Sequence, residues 1–522
     1  NIAVVLNKQD KHDEALNYFK KALALKPDFT AAYYYFASAL INLKFKQLDK
    51  EVEKIIVSIL DQKTIKRTRT IAPPIISLIK LEPYLSNKLN FVSSDYNLVD
   101  LKETIFNLSK MSILLKVMGL VSIPDLKLEQ LFTIIRRGLL LYNSELGDSR
   151  EVLKFQTALA LQCFNNEYIY SENNEEINEL KKLEVSVLST LESGKKPSSS
   201  SILCLASYKA LYKYDWYDKI KVEKEIDEVF KRQVIEPIYE RKLKSSIPVL
   251  GRIKNKISTK VREQYEENPY PRWVNLELSL RPFSISKWAN LLKLRLFDKN
   301  IFNTKVPNVL IAGCGTGQQS IERKTQYKNS QILAIDLSLS SLAYAKRKTE
   351  ELQVSGIEYM QSDILELDKI EKKFDIIECA GVLHHMDDPL SGWRVLTNCL
   401  KKGGLMRIGL YSESARQIIV KIRQEIKAKG IGSTKTEMKS FRNDIIRSNK
   451  EHHIKIKPIS DFYSLSEFRD LLFHVQEHRF TMSQIKNCLA NLGLKFCGFE
   501  GEDIVQNFIS KNFKKDDLYN LD

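Results

Sequence analysis

A glycine cluster between two apolar runs constrains the fold of this 522-residue chain more than any other feature. Residues 306–336 read VPNVLIAGCGTGQQSIERKTQYKNSQILAID, with three glycines inside 313–317. A polar stretch long enough for one helix follows the glycines, and the second apolar run ends on Asp336. This order predicts a strand, a glycine loop, a helix, a second strand and an acid at its tip.

The loop and the acid indicate the kind of ligand. Glycines let a backbone turn sharply and be approached closely, because no Cβ stands in the way. Asp336 follows the last glycine by 19 residues and can accept hydrogen bonds from both hydroxyls of a ribose. We therefore expect a nucleoside-containing ligand at this unit.

The glycine spacing separates two classes of nucleoside-binding protein. A dinucleotide fingerprint requires G-x-G-x-x-G, and this chain has G-x-G-x-G with Gln318 where that fingerprint has its third glycine. This difference argues against a nicotinamide-dependent oxidoreductase. The loop resembles the first motif of class I S-adenosylmethionine-dependent methyltransferases, except that Ile311 replaces the acid usual two residues before the glycines.

The following residues continue the alternation of helices and strands. A helix is predicted over 338–351, and strands over 356–360, 374–379 and 405–410. Alternation of this kind predicts a parallel sheet with its ligand at the carboxyl edge. The fold class expected is an α/β Rossmann-like methyltransferase domain with a seven-stranded, mostly parallel sheet, preceded by an all-α N-terminal half. Its last two strands are predicted near 494–500 and 504–509.

The resemblance implies S-adenosylmethionine as cofactor and suggests which residues contact it. Asp363 occupies the family position that hydrogen-bonds the adenine amino group. The cofactor-binding residues implied are Gly313, Cys314, Gly315, Thr316, Gly317, Asp336, Leu337, Ser362, Asp363, Ile364 and Ala380. Candidates for a general base at the end of the fourth strand and beyond the fifth are His384, His385 and Tyr411.

The N-terminal half reads as helices throughout. Residues 1–43 resemble a tetratricopeptide repeat, with Ala15, Tyr18, Phe19, Ala22, Leu23 and Pro27 at the matching positions. One repeat cannot bury its own apolar face, so we expect a truncated array at 1–62 that either docks a protein partner or caps a solenoid. An all-helical middle domain is expected at 63–255 and the methyltransferase domain at 256–522, with a helical cap inserted at about 417–480.

Aromatic and charged residues flank the catalytic half and could form a lid or a pocket. The stretch 265–273, YEENPYPRW, contains Asn-Pro-Tyr-Pro, which resembles the N-P-P-Y motif of nucleic-acid adenine methyltransferases but precedes the glycine loop instead of following the fourth strand. Two prolines make a stiff loop. Substrate-pocket candidates in this stretch, after the fifth strand and in the insertion are Tyr265, Asn268, Tyr270, Arg272, Trp273, Glu413, Arg416, Arg469, His474 and His478.

The composition indicates which classes of partner, such as nucleic acid, metal ions or a membrane, are expected. The formal charge of +16 permits nucleic-acid binding, but the basic residues are spread rather than clustered, so this partner is not expected. The 7 cysteines form no C-x-x-C pair, and His474 and His478, four apart on one predicted helix face, lack a third ligand, so no metal is expected. Unpaired thiols and the lack of a long apolar span favour a cytoplasmic protein without a membrane segment.

Two functions remain open. The first is transfer of a methyl group to an unidentified small molecule or protein, with the helical half recruiting the substrate or a partner. The second is a tetratricopeptide scaffold that retains a cofactor-binding but weakly active or inactive methyltransferase fold, for which the missing acid at Ile311 leaves room. Alignment of nucleophile, methyl carbon and sulfur would contribute most to catalysis, up to roughly 7–11 kcal/mol in ideal cases.

Overall fold

A computed structural model describes residues 2–41, 43–90, 96–511 and 514–521. The chain divides into two compact units. The first unit comprises 1–239, 272–277 and 422–473, and the second comprises 240–271, 278–421 and 474–522. The domain limits expected at 62 and 255, and the role of the insertion as a cap, remain predictions.

The helices in chain order are α1 Ile2–Lys8, α2 His12–Leu25, α3 Thr30–Leu40, α4 Lys50–Asp61, α5 Thr68–Ile79, α6 Pro83–Asn90, α7 Leu98–Ser109, α8 Ser112–Leu120, α9 Leu126–Leu141, α10 Asn143–Leu146, α11 Arg150–Asn165, α12 Asn174–Glu192, α13 Ser199–Ala206, α14 Asp227–Phe230, α15 Glu236–Leu243, α16 Lys256–Glu267, α17 Ile285–Leu291, α18 Gln318–Gln326, α19 Leu339–Glu351, α20 Pro389–Cys399, α21 Gln417–Ala428, α22 Lys435–Arg447, α23 Glu451–Ile456, α24 Leu465–Phe473, α25 Met482–Asn491 and α26 Glu502–Ser510.

The described part of the first unit is helical, as expected for the N-terminal half. Several of its helices begin with side-chain caps, such as Asp49 before α4 and Asp125 before α9. A core formed by α11, α13 and the segment that follows includes the buried side chains of Leu203, Leu211 and Trp216. Burial of such apolar faces, rather than helix propensity, stabilises a unit of this kind.

Residues 422–473 follow the last strand in sequence yet complete the first unit. The guanidinium of Arg442 donates to both oxygens of Glu129 at 2.6 and 2.7 Å, and both side chains are buried. Arg69 forms ion pairs with Asp461 and Glu467. These pairs connect α22 and the start of α24 to helices that lie more than three hundred residues earlier in the chain.

The second unit is organised around a parallel sheet. Its strands are β1 Val249–Leu250, β2 Asn308–Ala312, β3 Gln331–Asp336, β4 Ile357–Ser362, β5 Phe374–Ala380 and β6 Leu400–Gly409, in the order β1-β4-β3-β2-β5-β6. Every pairing is parallel. The α/β class is confirmed. The described residues contain six strands rather than the seven expected.

Apolar side chains cover both faces of the sheet. One core contains Val309, Ile311, Ile332 and Ala334, and the other contains Leu310, Leu333 and Ile377. Because successive residues of a strand point to opposite faces, the unbroken apolar runs of β2 and β3 supply both cores. This double burial explains why the two runs were visible in the sequence.

The end of the second unit differs from expectation. Residues 494–500 form no strand, and 504–509, predicted as a strand, lie within helix α26. The apolar residues at 504, 505, 508 and 509 recur at helical spacing, which a reading of alternation missed. Strand β1 was not anticipated, since two residues give no periodic signal. Among the described residues, the structure has no helix that is both long and apolar enough to cross a membrane.

Candidate functional site

The glycine loop joins β2 to α18 at the carboxyl edge of the sheet. Gly313, Gly315 and Gly317 adopt φ values of 74°, 52° and 84°, in the left-handed region that favours glycine. A Cβ on Gly315 would lie 2.8 Å from the carbonyl oxygen of Tyr270. Thr316 Oγ1 donates to the carbonyl of Pro271 at 2.5 Å, so the Tyr-Pro part of the sequence motif lies directly on the loop.

Helix α16 explains why this motif reaches the loop. Glu266, near its end, accepts hydrogen bonds from the N–H groups of Leu339 and Ser340, both at 2.9 Å. A carboxylate is favoured there because the first N–H groups of a helix have no partner within the helix. The contact anchors α16 to the start of α19 and delivers the following residues to the glycine loop.

Asp336 ends β3 beside the same loop. Its Oδ2 accepts the N–H of Gly315 at 2.8 Å, and its Oδ1 accepts the N–H of Ser338 at 2.9 Å. Burial raises the pKa of Asp336 to about 6, although these two N–H groups act to lower it. A carboxylate offers about four lone-pair sites, so each oxygen retains capacity for a further donor.

The remaining residues implied as cofactor contacts lie at the ends of β3, β4 and β5. Ser362 is the last residue of β4, and Asp363 and Ile364 follow it. All three are buried, and Asp363 Oδ1 accepts the N–H of Leu365 at 3.1 Å. Leu337 follows β3, and its carbonyl accepts a hydrogen bond from the side chain of Gln361 at 2.8 Å. These residues therefore share one edge with the glycine loop, as the parallel topology requires.

The expected base candidates form one cluster. His384 and His385 lie in a short 3-10 helix, Leu383–His385, after β5. The ring of His384 stacks on Tyr411, with centroids 3.7 Å apart, and meets His385 edge-on at 4.3 Å. Among the described residues neither ring nitrogen of His384 has a hydrogen-bond partner. Burial, with the positive charges of His385, Arg416 and His478, lowers the pKa of His384 to about 2, so this ring is neutral.

A segment that follows α24 brings further candidates to this cluster. His474 stacks on His385, with centroids 3.6 Å apart. His385 Nδ1 donates to the carbonyl of Gln476 at 2.7 Å, and His474 Nδ1 lies 2.8 Å from the same oxygen. Because a carbonyl only accepts, the hydrogen of a neutral His385 is on Nδ1, which leaves Nε2 as the basic nitrogen.

Two backbone contacts hold this segment along the strand edge. The N–H of His478 donates to the carbonyl of His384 at 2.7 Å, and the N–H of Phe480 donates to the carbonyl of Tyr411 at 2.8 Å. The predicted helical face for His474 and His478 is wrong, because α24 ends at Phe473 and the next residues are extended.

Ion pairs surround the aromatic cluster. The guanidinium of Arg416 lies 3.9 Å from the centre of the Tyr411 ring and forms an ion pair with buried Glu477. Glu413 forms an ion pair with Arg479 at 3.0 Å. Arg416 and Glu413, both named as pocket candidates from the sequence, therefore lie near Tyr411, and their charges are already paired within the unit.

The stretch 265–273 divides between the two units after Pro271, so the whole Asn-Pro-Tyr-Pro motif belongs to the second unit. The ring of Tyr265 stacks on that of Tyr270, with centroids 6.1 Å apart, and is tilted relative to His474, with centroids 6.0 Å apart. Both tyrosines and this histidine belong to the second unit. Asn268 ends α16 and is partly buried.

Three other pocket candidates belong to the first unit. Arg272 forms an ion pair with Glu167 at 3.4 Å, and Trp273 is buried. Arg469 lies on α24. The role of these three residues as substrate contacts remains a prediction.

Three residues were missed in the sequence. They are Glu266, Gln361 and Gln476, which position the strap formed by residues 268–271, the end of β3 and the two imidazoles. None carries a local signal, because each acts through a partner distant in sequence.

Comparison with known proteins identifies two parts of the chain. A family model described as a methyltransferase domain matches residues 304–457, and a tetratricopeptide repeat model matches residues 1–29. The chain carries a methyltransferase domain and a tetratricopeptide repeat. The methyltransferase match begins just before β2 and contains the glycine loop, Asp336 and the histidine pair.

Relatives of the methyltransferase domain are partial matches. An uncharacterized protein of Synechococcus is 28% identical over 209 residues, covering 38% of this chain and 49% of that protein. The ubiquinone biosynthesis O-methyltransferase of Acinetobacter baylyi is 29% identical over 136 residues, covering 26% of this chain and 54% of that protein. The chain thus spans about half the length of these curated relatives. Among solved structures, PKMT2 from Rickettsia typhi matches with a TM-score of 0.33 at 18% identity, over 46% of this chain and 49% of that one.

Proposed function

We propose that the chain is an S-adenosylmethionine-dependent methyltransferase whose acceptor binds beside the histidine cluster. The observation that carries the proposal is the pairing of Asp336 with the N–H of Gly315 at 2.8 Å, at the carboxyl edge of a parallel sheet. The methyltransferase family match over 304–457 supports it.

The residues at the edge suit an adenosyl group. The backbone of the glycine loop carries no side chains at three positions, and Asp336 retains lone pairs for the two ribose hydroxyls. Buried Asp363 is the expected partner of the adenine amino group. When bound, the cofactor supplies a methyl group activated by a sulfonium. Gly313, Gly315 and Asp336 would hold it, while Leu337, Ser362, Ile364 and Ala380 would line its surroundings.

The acceptor side is assigned to His385 and Tyr411. The hydrogen bond from His385 Nδ1 to the carbonyl of Gln476 fixes the ring and directs basicity to Nε2. A base in this position is needed when the acceptor is a protonated hydroxyl or amine, and it contributes about 10²–10⁴-fold to the rate. His384 is buried and neutral, so we assign it to packing of Tyr411 rather than proton transfer.

Two acceptor classes fit this arrangement. A small metabolite would be held by Tyr265, Tyr270 and His474, whose rings form a continuous row. A protein acceptor or partner would use the helical half, which carries the tetratricopeptide match. Because Arg416 and Glu413 are already ion-paired within the unit, charge alone does not select between these classes.

Binding of S-adenosylhomocysteine tests the cofactor assignment. We expect the full chain to bind this compound saturably. Asp336→Asn should weaken the affinity by roughly 10- to 150-fold for each hydrogen bond from a ribose hydroxyl to the charged carboxylate that is lost. The matched control is Glu371→Gln, at an exposed position of the same unit, which should bind as the unaltered chain does. Equal binding by all three proteins would overturn the assignment.

The alternative is a scaffold that retains the fold without transfer. Ile311 favours it, because this fully buried apolar residue stands where related enzymes place an acid. Transfer of label from the cofactor to fractions of a cell extract separates the two functions. A labelled product that disappears in Asp336→Asn supports the enzyme, whereas cofactor binding without a labelled product in any fraction supports the scaffold.

A further inference from the structure

Three side chains with metal-binding atoms converge in the first unit. Glu425 lies on α21, and His452 and His453 lie on α23. His452 Nε2 is 2.5 Å from one carboxylate oxygen of Glu425, and His453 Nε2 is 3.3 Å from the other. One ligand atom from each of the three lies within 4.8 Å of the other two.

Three buried atoms of this cluster, on His453 and Glu425, lack hydrogen bonds among the described residues. His453 is 3% exposed, and among the described residues neither of its ring nitrogens has a hydrogen-bond partner. Glu425 Oε2, which faces His453, is also without one in the same set. Buried polar atoms of this kind are rare in folded proteins and call for an explanation such as an ion. A cation between the carboxylate and the imidazole would satisfy both atoms.

We propose that Glu425, His452 and His453 bind one divalent first-row transition-metal ion, best matched by Zn²⁺, which joins α21 to α23. Imidazole nitrogen and carboxylate oxygen bind Zn²⁺ at about 2.0–2.2 Å. Two histidines and one glutamate leave a fourth position for water. Small side-chain rotations would bring the three ligand atoms to those distances, since all of them already lie within 4.8 Å.

The charges around the cluster determine how tightly an ion is held. Although burial acts to raise it, the pKa of Glu425 lies below its usual value because His452 and Lys450 hydrogen-bond to the carboxylate, which is therefore an anion. Burial lowers the pKa of His453, aided by His452, Lys450 and Lys429 and opposed by Glu425, so its lone pair is available. Lys450 Nζ, 3.1 Å from Glu425 Oε1, competes with the ion for that oxygen.

Titration of the chelator-treated full chain with Zn²⁺ tests the proposal. We expect one equivalent to bind, with affinity reduced about 100-fold or more in His453→Gln and in Glu425→Gln. His12→Gln is the matched control, since this histidine lies on α2 in the same unit and contacts Asn7 and the exposed carboxylate of Asp10, with no second histidine beside them. No saturable Zn²⁺ binding by the unaltered chain, or unchanged binding by His453→Gln, would overturn the proposal.

Lys450→Met distinguishes a metal site from a loss caused by misfolding. Removal of the competing ammonium should tighten Zn²⁺ binding, an effect that an unfolded variant would not produce. Substitution of Co²⁺ should give the visible absorption of a four-coordinate ion with nitrogen and oxygen ligands. Unchanged or weaker Zn²⁺ binding by Lys450→Met, or the absorption spectrum of hydrated Co²⁺, would contradict the proposal. Either result would mean that Glu425, His452 and His453 only interact with one another and bind no metal ion.

Discussion

Arg442 and Glu129 form a bidentate ion pair inside the first unit, and both side chains are removed from water. Arg442→Met should destabilise the protein by about 3–5 kcal/mol, because it leaves the Glu129 carboxylate buried without a partner. The double change Arg442→Met with Glu129→Met should recover most of that loss. Urea unfolding measures the free energy of unfolding of both variants. The control is Arg447→Met, at an exposed position of the same helix, which should lower that free energy by less than about 0.5 kcal/mol. Equal losses in the single and double variants would show that the pair itself matters little.

Binding of S-adenosylhomocysteine should depend on pH through Asp336. Its pKa is raised to about 6, so the carboxylate is ionised at neutral pH and becomes protonated as the pH falls through 6. Ribose hydroxyls donate to the charged form, and affinity should therefore fall by about tenfold per pH unit below that value. Calorimetric titration between pH 5 and 8 measures it. Asp336→Asn should bind weakly at every pH, and a flat profile in the unaltered chain would contradict the assignment.

Stability should fall with acidification partly through His384. The folded pKa of this residue is about 2, far below the unfolded value of about 6.5, so the unfolded chain binds the extra proton. The free energy of unfolding therefore decreases as the pH falls below about 6.5, by up to about 1.4 kcal/mol per pH unit from this group. His384→Phe keeps the stacking on Tyr411 and removes the proton site, so its stability should decline less steeply in urea unfolding at several pH values. Parallel declines would show that His384 is accessible to protons in the folded state.

His385 should influence the rate without affecting the cofactor. Asn retains a donor for the carbonyl of Gln476 but lacks a base, so His385→Asn should lower kcat by about 10²–10⁴-fold while S-adenosylhomocysteine affinity stays unchanged. A normal kcat in this variant would show that His385 acts only in packing. Weakened cofactor binding would show that His385 instead maintains the structure of the cofactor site at the carboxyl edge of the sheet.

Gly315→Ala should disturb the contact between the glycine loop and the strap of residues 268–271. The substitution forces alanine into a φ of 52° and places its Cβ 2.8 Å from the Tyr270 carbonyl, so we expect a cost of about 1–2 kcal/mol and weaker cofactor binding. Gly430→Ala, also at positive φ but with open space around it, is the control for backbone strain alone. Equal effects on cofactor binding would show that the strap contact is unimportant.

Local patterns explain which parts of the fold were predictable. The apolar runs of β2 and β3, the glycines between them and Asp336 lie within one stretch of 31 residues, so their arrangement follows from sequence order. Residues 504–509 were assigned to a strand because six mostly apolar residues suit either structure, and only the recurrence after four residues favours a helix. His474 was placed on a helix that ends one residue earlier, at Phe473.

The candidate site was predictable only where it is local. The glycine loop follows β2 and Asp336 ends β3, as the sequence order predicts, but the carbonyl of Gln476 that orients His385 lies 91 residues away in sequence. Backbone acceptors carry no residue-type signal, so no reading of composition or spacing could find this contact. Likewise, the pairing of Glu266 with the start of α19 spans 74 residues to Ser340.

The arrangement of the first unit bears on how the polypeptide matures during synthesis. Glu129 leaves the ribosome long before Arg442, and the residues between them include all six strands of the sheet. Until the segment 422–473 has been translated, Glu129 therefore lacks its partner Arg442, and the apolar faces of the early helices that this segment covers stay exposed. A nascent chain stalled before that point would be a substrate for chaperones, and release of the complete segment would end that dependence.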